Sequence, residues 1–172
     1  MSIKIGLLII SDRSYQGIRE DLTGPALETA VENAGWEVLK KGLVADELLD
    51  IRNILVDWAN QKEIQVILTS GGTGFSSRDV TPEATLAVID RQAPGLAEAM
   101  RAGSLRITSH AMLSRAVAGI RNTCLIINLP GSPKGALENF RIIAPVLPHA
   151  VQLLEDDDQA EDSHRRPPTA SI

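Results

Sequence analysis

The sequence is poor in aromatic residues and contains a single cysteine. Phe, Trp and Tyr make up only 3% of the 172 residues, so the hydrophobic core must be built mainly from Ile, Leu, Val and Ala. Cys124 cannot form a disulfide within the chain, and a cysteine-based zinc site would lack its other ligands. Because Cys124 lies in the apolar segment TCLIINLP, we predict that it is a small buried core residue.

An excess of positive charge and a long apolar run are also absent. The formal net charge is −5, whereas proteins that bind nucleic acid through its phosphates are usually basic, so we expect no nucleic-acid partner. The apolar run within the N-terminal segment MSIKIGLLIISDR is too short for a signal peptide or a membrane span. We therefore expect a cytoplasmic protein with no membrane partner.

The apolar segments alternate with helical patterns along the chain. Strands are predicted at residues 3–10, 36–44, 64–69 and 123–130. Their nearly continuous apolar runs are typical of parallel strands that are buried on both faces. The sequence therefore predicts an α/β fold, in which a single three-layer domain (residues 1–154) has a mostly parallel sheet covered by helices on both faces. Residues 155–172 are charged and then proline-rich, and we predict a disordered tail.

Helices are predicted between the strands from their spacing and their end signals. They are expected from Pro25 to Gly35, within 45–61, from Thr81, within 95–107, and over 132–155 with a bend or break at Pro145 or Pro148. The segment at 14–24 is predicted to be a loop, and 109–121 has no clear pattern.

The segment TSGGTGFSSRDVTPEAT, residues 69–85, has the composition of an anion-binding turn. Its glycines let backbone N–H groups approach a ligand, and Thr81 is predicted to cap a helix whose positive end would add to the site. Arg78 could pair with a phosphate through its planar fork. Asp79 would repel a phosphate directly, which suggests a bridging Mg²⁺ or a proton-transfer role. The alternative is a tight turn with a capping network and an ion pair between Arg78 and Asp79.

Two further polar segments follow predicted strands, where open α/β sheets bind their ligands. Ser132 and Pro133 repeat the pattern of a cap followed by proline, and Lys134 in the first helical turn would be favoured by a bound anion. An ordinary connection with an exposed lysine is equally compatible with this segment. Asp46 and Glu47 precede an amphipathic helix, so one of them could cap that helix, or Asp46 could complete a Mg²⁺ site with Asp79.

Three segments together resemble the Mog/MoaB family of molybdenum-cofactor biosynthesis proteins, and most closely its adenylyltransferase members. They are LTSGGTGFSSRDVTPEAT, AMLSRAVAGIR and LIINLPGSPKGA, and the resemblance extends over residues 3–154. It implies a single α/β domain, usually assembled as a homotrimer, that transfers AMP from ATP to the terminal phosphate of molybdopterin. The resemblance further implies a Mg²⁺ requirement, pyrophosphate release, and delivery of the product to a partner enzyme that inserts molybdate.

The resemblance also implies the site residues. The essential acidic pair of the family falls on Asp46 and Asp79, which are the predicted catalytic residues and metal ligands. The predicted substrate-binding residues are Ser11, Asp12, Ser70, Gly71, Gly72, Thr73, Gly74, Arg78, Ser114, Arg115, Pro130, Gly131, Ser132 and Lys134. Whether Arg78 contacts the ligand or only fixes Asp79 is left open by the sequence. The rival functions are a nucleotide pyrophosphatase on the same fold and a non-catalytic molybdopterin-binding scaffold.

Overall fold

Six strands form one sheet in the computed structural model, which describes residues 2–155. The strands are β1 (Lys4–Ile10), β2 (Glu37–Val44), β3 (Val66–Ser70), β4 (Arg91–Gln92), β5 (Ala118–Arg121) and β6 (Cys124–Leu129). Their order in the sheet is β2-β1-β3-β6-β5-β4. The strands β2, β1, β3 and β6 run parallel, whereas β5 is antiparallel to both β6 and β4.

Helices connect the strands. They are α1 (Asp12–Tyr15), α2 (Thr23–Asn33), α3 (Leu48–Ala59), α4 (Thr81–Leu86), α5 (Pro94–Leu105), α6 (Pro133–Ile143) and α7 (Leu147–Leu154), with 3-10 turns at Ser109–Leu113 and Ala144–Val146. None of these helices, in the part of the chain that is described, is long and apolar enough to cross a membrane.

The side chains of β1 alternate between two cores. Leu7 and Ile9 pack on one face of the sheet with residues from α2, α5, α6 and α7. Leu8 and Ile10 pack on the other face with residues from α3 and α4. Because successive side chains of a strand point to opposite faces, one continuous apolar run supplies both cores. The predicted three-layer α/β fold with a mostly parallel sheet is confirmed.

Cys124 lies at the start of β6 and is buried in the second of these cores, as its apolar neighbours predict. Burial raises the pKa of its thiol to about 12, because the charged thiolate would lose its hydration. Cys124 is therefore a structural residue, without the thiolate character that a nucleophile needs.

The structure differs from the sequence prediction mainly at short elements. The segment predicted as a loop overlaps α1, which Ser11 caps by accepting a hydrogen bond from the Ser14 N–H at 3.2 Å. The strands β4 and β5 were not predicted, because two and four residues are too few to show alternation.

The last helix is interrupted at Ala144–Val146, which confirms Pro145 as the break. The predicted disordered tail lies outside the described residues, except for Glu155.

Candidate active site

The carboxyl ends of β1, β3 and β6 lie side by side, since each strand pairs with the next. In the sheet, β1 lies between β2 and β3. The chain therefore passes from β1 to its neighbour on one side and then crosses to its neighbour on the other side, so the direction of the strand order reverses between β1 and β3. Open α/β sheets bind ligands at such switch points. The polar segments that follow Ile10, Ser70 and Leu129 therefore meet at one edge of the sheet.

Two clefts open at this edge. The larger one, of about 460 Å³, is lined by Glu20, Asp21, Asp46 and Asp79, and we call it the acidic cleft. From the predicted set its walls also contain Ser11, Ser70, Gly71, Gly72, Gly131 and Ser132. The second cleft, of about 300 Å³, contains Thr73, Gly74, Ser114, Pro130 and Ser132. Residues 71–74, which we call the glycine loop, run from one cleft to the other, because Gly71 and Gly72 line the first and Thr73 and Gly74 line the second. Ser132 lines both clefts, so the two adjoin.

The glycine loop has a backbone conformation that requires glycine. Gly71 has a φ of 109° and Gly72 a φ of 63°. A Cβ atom on Gly71 would lie 2.0 Å from the carbonyl oxygen of Ile10, and one on Gly72 would lie 2.3 Å from Thr81 Oγ1. The loop thus passes directly against the end of β1, where a side chain would displace it.

Thr81 holds this loop and does not cap α4. The sequence predicted Thr81 as the N-cap, but Thr81 is the first residue of α4 and its cap position is Val80. Its hydroxyl donates to the Gly71 carbonyl at 2.8 Å, and its N–H donates to the Gly72 carbonyl at 3.1 Å. The prediction of a helix cap was wrong because a buried carbonyl from a distant loop competes for the same hydroxyl.

Arg115 holds the other half of the glycine loop. Its N–H donates to the Thr73 carbonyl at 2.9 Å, and its Nε donates to the Gly74 carbonyl at 2.7 Å. Its Nη2 donates to the Asp79 carbonyl at 2.6 Å, and the guanidinium also pairs with the Glu83 carboxylate. Those donors are therefore occupied by the protein, although the sequence predicted Arg115 as a substrate contact. The hydrogen bonds from the Arg115 guanidinium lower the pKa of the Glu83 carboxyl.

All four carbonyls of the glycine loop accept hydrogen bonds from Thr81 or Arg115. By contrast, the N–H groups of Gly72, Thr73 and Gly74 have no acceptor within the described part of the chain. Backbone N–H groups that are fixed in this way form a ready site for an anion, because they need no reorganisation to receive it.

We predict that Arg115→Lys loosens the glycine loop. A lysine cannot reach Gly74, Asp79 and Glu83 together, so we expect kcat of the site's reaction to fall about tenfold and KM to change less. The free energy of unfolding should fall by about 1 kcal/mol. Arg121→Lys is the matched control, because Arg121 also binds a carbonyl, that of Val88, at 2.9 Å. Equal kinetic effects in both variants would contradict a positioning role for Arg115.

Asp12 and Asp46 are joined by two reciprocal hydrogen bonds. The Asp12 N–H donates to Asp46 Oδ2 at 2.8 Å, and the Asp46 N–H donates to Asp12 Oδ1 at 3.0 Å. Arg78 then binds Asp12 with both Nε and Nη2 at 3.0 Å, and its Nη2 binds Glu47 at 2.7 Å. Among the described residues Arg78 thus forms no ion pair with Asp79 and instead holds Asp12, which in turn holds Asp46. A contact between Arg78 and the ligand stays a prediction.

The pKa values of Asp12 and Asp46 are shifted in opposite directions. The hydrogen bonds from Arg78 hold the pKa of Asp12 below its ordinary value. Burial raises the pKa of Asp46, and the Asp12 N–H only partly offsets this. Within residues 2–155, neither Asp46 nor Asp79 forms a salt bridge. In the acidic cleft, therefore, no basic side chain of the described residues forms a salt bridge with either carboxylate.

Arg78→Gln tests this arrangement through its pH dependence. Since Arg78 depresses the pKa of Asp12 in the folded state, it contributes stability above the unfolded pKa of about 3.9, which is lost as the pH falls further. We expect the variant to unfold at lower urea concentration at pH 7, and the difference to shrink below about pH 4. Lys41→Gln, which breaks a similar exposed pair with Glu28 at 2.8 Å, is the control for activity, because only Arg78→Gln should slow the reaction. A difference that persists at low pH would contradict the assignment.

Asp46 and Asp79 have the donor set that fits Mg²⁺. A Cβ atom on Gly72 would lie 2.9 Å from Asp46 Oδ1, and one on Gly74 would lie 2.9 Å from Asp79 Oδ2, so the glycines leave room beside both oxygens. No group of three or more His, Cys, Asp or Glu residues that could hold a metal occurs among the described residues. A Mg²⁺ here would thus need further oxygens, and substrate phosphates are its usual partners beside one or two carboxylates.

Three of the predicted charged contacts, besides Arg115, lie outside both clefts. Asp12, Arg78 and Lys134 are absent from the walls. Lys134 is exposed, and its Nζ lies 3.9 Å from Glu138 Oε1 one helical turn further on.

The N-cap predicted for Ser132 is confirmed, since its hydroxyl accepts a hydrogen bond from the Gly135 N–H at 3.2 Å. Glu47 occupies the N-cap position of α3 but makes no side-chain cap hydrogen bond, so the side-chain cap predicted for Asp46 or Glu47 does not form. The pairing of Glu47 with Arg78, and of Glu83 with Arg115, was not predicted because pairing between distant segments leaves no local signal.

This structure is an α/β protein in which a fixed glycine loop and two carboxylates meet at the switch point of the sheet, the edge at which such folds bind their ligands. The chain belongs to the MoCF_biosynth family, whose model is described as a probable molybdopterin binding domain and matches residues 6–149. The family resemblance seen in the sequence is confirmed. The protein takes part in molybdenum-cofactor biosynthesis.

Solved structures and relatives agree with this assignment. The crystal structure of the molybdopterin biosynthesis enzyme MoaB from Thermus thermophilus is 46% identical with a TM-score of 0.85, and the match covers 90% of this chain and 98% of that one. The molybdopterin adenylyltransferase of Helicobacter pylori is 41% identical over 89% of this chain and 88% of its own length.

Longer relatives also match. Gephyrin of Dictyostelium discoideum is 40% identical over 94% of this chain. The molybdenum cofactor synthesis protein cinnamon of Drosophila melanogaster is 42% identical over 91% of this chain. The present chain spans about a quarter of the length of these two proteins, 24% and 26% respectively.

Proposed function

We propose that the protein is a molybdopterin adenylyltransferase that transfers AMP from ATP to the terminal phosphate of molybdopterin. The observation that carries this proposal is the placement of Asp46 and Asp79 beside the glycine loop, where neither carboxylate forms a salt bridge with a basic side chain of the described residues. Relatives that bear this name are about 41% identical over some 90% of the chain, which supports the same chemistry here.

In the proposed reaction, an oxygen of the terminal phosphate of molybdopterin attacks the α-phosphorus of ATP. The bond from that phosphorus to the oxygen bridging to the β-phosphate breaks, pyrophosphate leaves, and a new phosphoanhydride forms. The adjoining clefts can hold one substrate each, so that their phosphates meet at the glycine loop. This positioning lowers the entropic part of the barrier.

The residues of the chain contribute position and charge. A Mg²⁺ held by Asp46 and Asp79 would neutralise charge on the reacting phosphates. The N–H groups of Gly72, Thr73 and Gly74 would stabilise the charge on the equatorial oxygens. Because Thr81 and Arg115 hold the loop carbonyls, these donors are fixed before the substrate arrives.

We also propose the assembly and the partners that the family resemblance implies. Residues 1–154 would form the molybdopterin-binding domain of a cytoplasmic homotrimer, and the product would pass to a molybdate-insertion enzyme. The exposed apolar side chains of Ile107, Met112 and Leu113 lie close together in the chain and support an interface between copies. Sedimentation equilibrium of the full chain tests the trimer, and a monomeric mass at micromolar concentration would contradict it.

The decisive experiment follows both products. ATP labelled at the α-phosphate, which follows the AMP group, is incubated with Mg²⁺ and the protein, with and without molybdopterin, and the unlabelled pyrophosphate is measured separately. We expect adenylylated molybdopterin and pyrophosphate in equal amounts, and only when molybdopterin is present. Pyrophosphate without molybdopterin would instead indicate a nucleotide pyrophosphatase, and molybdopterin binding without pyrophosphate would indicate a scaffold.

A further inference from the structure

The acidic cleft has one basic side chain on its wall. Among the described residues that line it, this is Arg19, whereas Glu20, Asp21, Asp46 and Asp79 are acidic. Within residues 2–155, the Arg19 guanidinium takes part in no salt bridge. Arg19 thus lines a cleft where a polyphosphate would otherwise meet four carboxylates.

The other cations near this edge are engaged elsewhere. Arg78 is bound by Asp12 and Glu47, and Arg115 is bound by the glycine loop and Glu83. Lys134 lies outside both clefts. A phosphate chain in the acidic cleft therefore has the Arg19 side chain as its available guanidinium among the described residues.

The segment that carries Arg19 is anchored at both ends. The N–H groups of Ile18 and Arg19 donate to the Arg13 carbonyl at 2.9 and 3.2 Å. Asp21 Oδ1 accepts hydrogen bonds from the Thr23 and Gly24 N–H groups, both at 2.9 Å, at the start of α2. The backbone of this part of the cleft wall is thus held in place, while the exposed Arg19 side chain can turn towards a ligand.

We propose that Arg19 binds the polyphosphate of the nucleotide donor and thereby assigns the acidic cleft to ATP. This inference rests on the proposed function. Asp46 and Asp79 would be neutralised by the metal, but Glu20 and Asp21 would still repel the β- and γ-phosphates. A guanidinium offers a planar fork that can donate to two phosphate oxygens, and such charge-assisted bonds are stronger than neutral ones. Arg19 would also hold the leaving pyrophosphate.

Arg19→Gln tests the proposal, with Arg13→Gln as the matched control. Arg13 is an exposed arginine of the neighbouring helix α1 that lines neither cleft, and its carbonyl contacts survive the substitution. For Arg19→Gln we expect KM for ATP and the inhibition constant of pyrophosphate to rise about tenfold, with little change in kcat or in KM for molybdopterin. Arg19→Lys should show a smaller rise, because an ammonium lacks the fork.

Two kinetic outcomes would overturn the assignment. One is an Arg19→Gln variant that matches the control in every parameter, and the other is a rise confined to KM for molybdopterin. If the parent protein transfers no AMP, the proposed function fails, and calorimetric binding of ATP and of pyrophosphate with Mg²⁺ still decides the inference. Weaker binding by Arg19→Gln than by the parent would support it, whereas equal binding, or no binding by the parent, would overturn it.

Discussion

Asp79→Asn is expected to lower kcat for AMP transfer by at least about 100-fold while leaving the fold intact, because the amide removes one of the two negative charges available to the metal. The local turn should survive, since the carboxylate accepts a hydrogen bond from the Ser76 N–H at 2.9 Å and an amide oxygen can accept the same bond. The contact of Arg115 with the Asp79 carbonyl also stays. The loss is therefore expected in the chemistry and not in stability.

Asp90→Asn is the matched control for this prediction. Asp90 also accepts a backbone hydrogen bond, from the Asn122 N–H at 2.8 Å, but it lines neither cleft. Single-turnover AMP transfer, molybdopterin binding and thermal unfolding should be measured for both variants and the parent. We expect Asp90→Asn to retain the parental rate. An Asp79→Asn variant that transfers AMP at that rate would exclude the role assigned to Asp79.

Gly71→Ala is expected to destabilise the protein by about 3 kcal/mol or more. Two costs add up: a φ of 109° strains any residue with a Cβ, and that Cβ would lie 2.0 Å from the Ile10 carbonyl oxygen. The neighbour is backbone of β1, an interior strand of the sheet, and cannot turn away as a side chain could. Urea denaturation at constant pH measures the loss, and activity should fall with it because the glycine loop must shift.

Two other glycines separate these costs. Gly17 has a φ of 72° but open space around its Cβ position, so Gly17→Ala should show only the conformational strain, about 1 kcal/mol. Gly95, in the first turn of α5, has open space and no positive φ, so Gly95→Ala should be neutral or slightly stabilising. If Gly71→Ala loses no more stability than Gly17→Ala, the predicted clash with Ile10 is wrong.

The main strands and the place of the site could be predicted because their signals are local. Continuous apolar runs such as residues 3–10 indicate strands buried on both faces, and polar segments after them mark the ligand-binding edge. The cap by Ser132 was predictable because its partner is only three residues away. The strand β4 was not predictable, since two residues carry no period and only pairing with β5 makes them a strand.

The sequence by itself determined the α/β fold, the glycine loop and the candidate pair of Asp46 and Asp79, because composition and short-range order specify strands, turns and their polar ends. Only the tertiary structure decided how the charged residues divide their roles. Arg78 binds Asp12, 66 residues away, and Arg115 binds Glu83, 32 residues away. Such pairs depend on which strand ends lie side by side in the folded sheet, and a local sequence pattern does not show which residues from distant segments become neighbours.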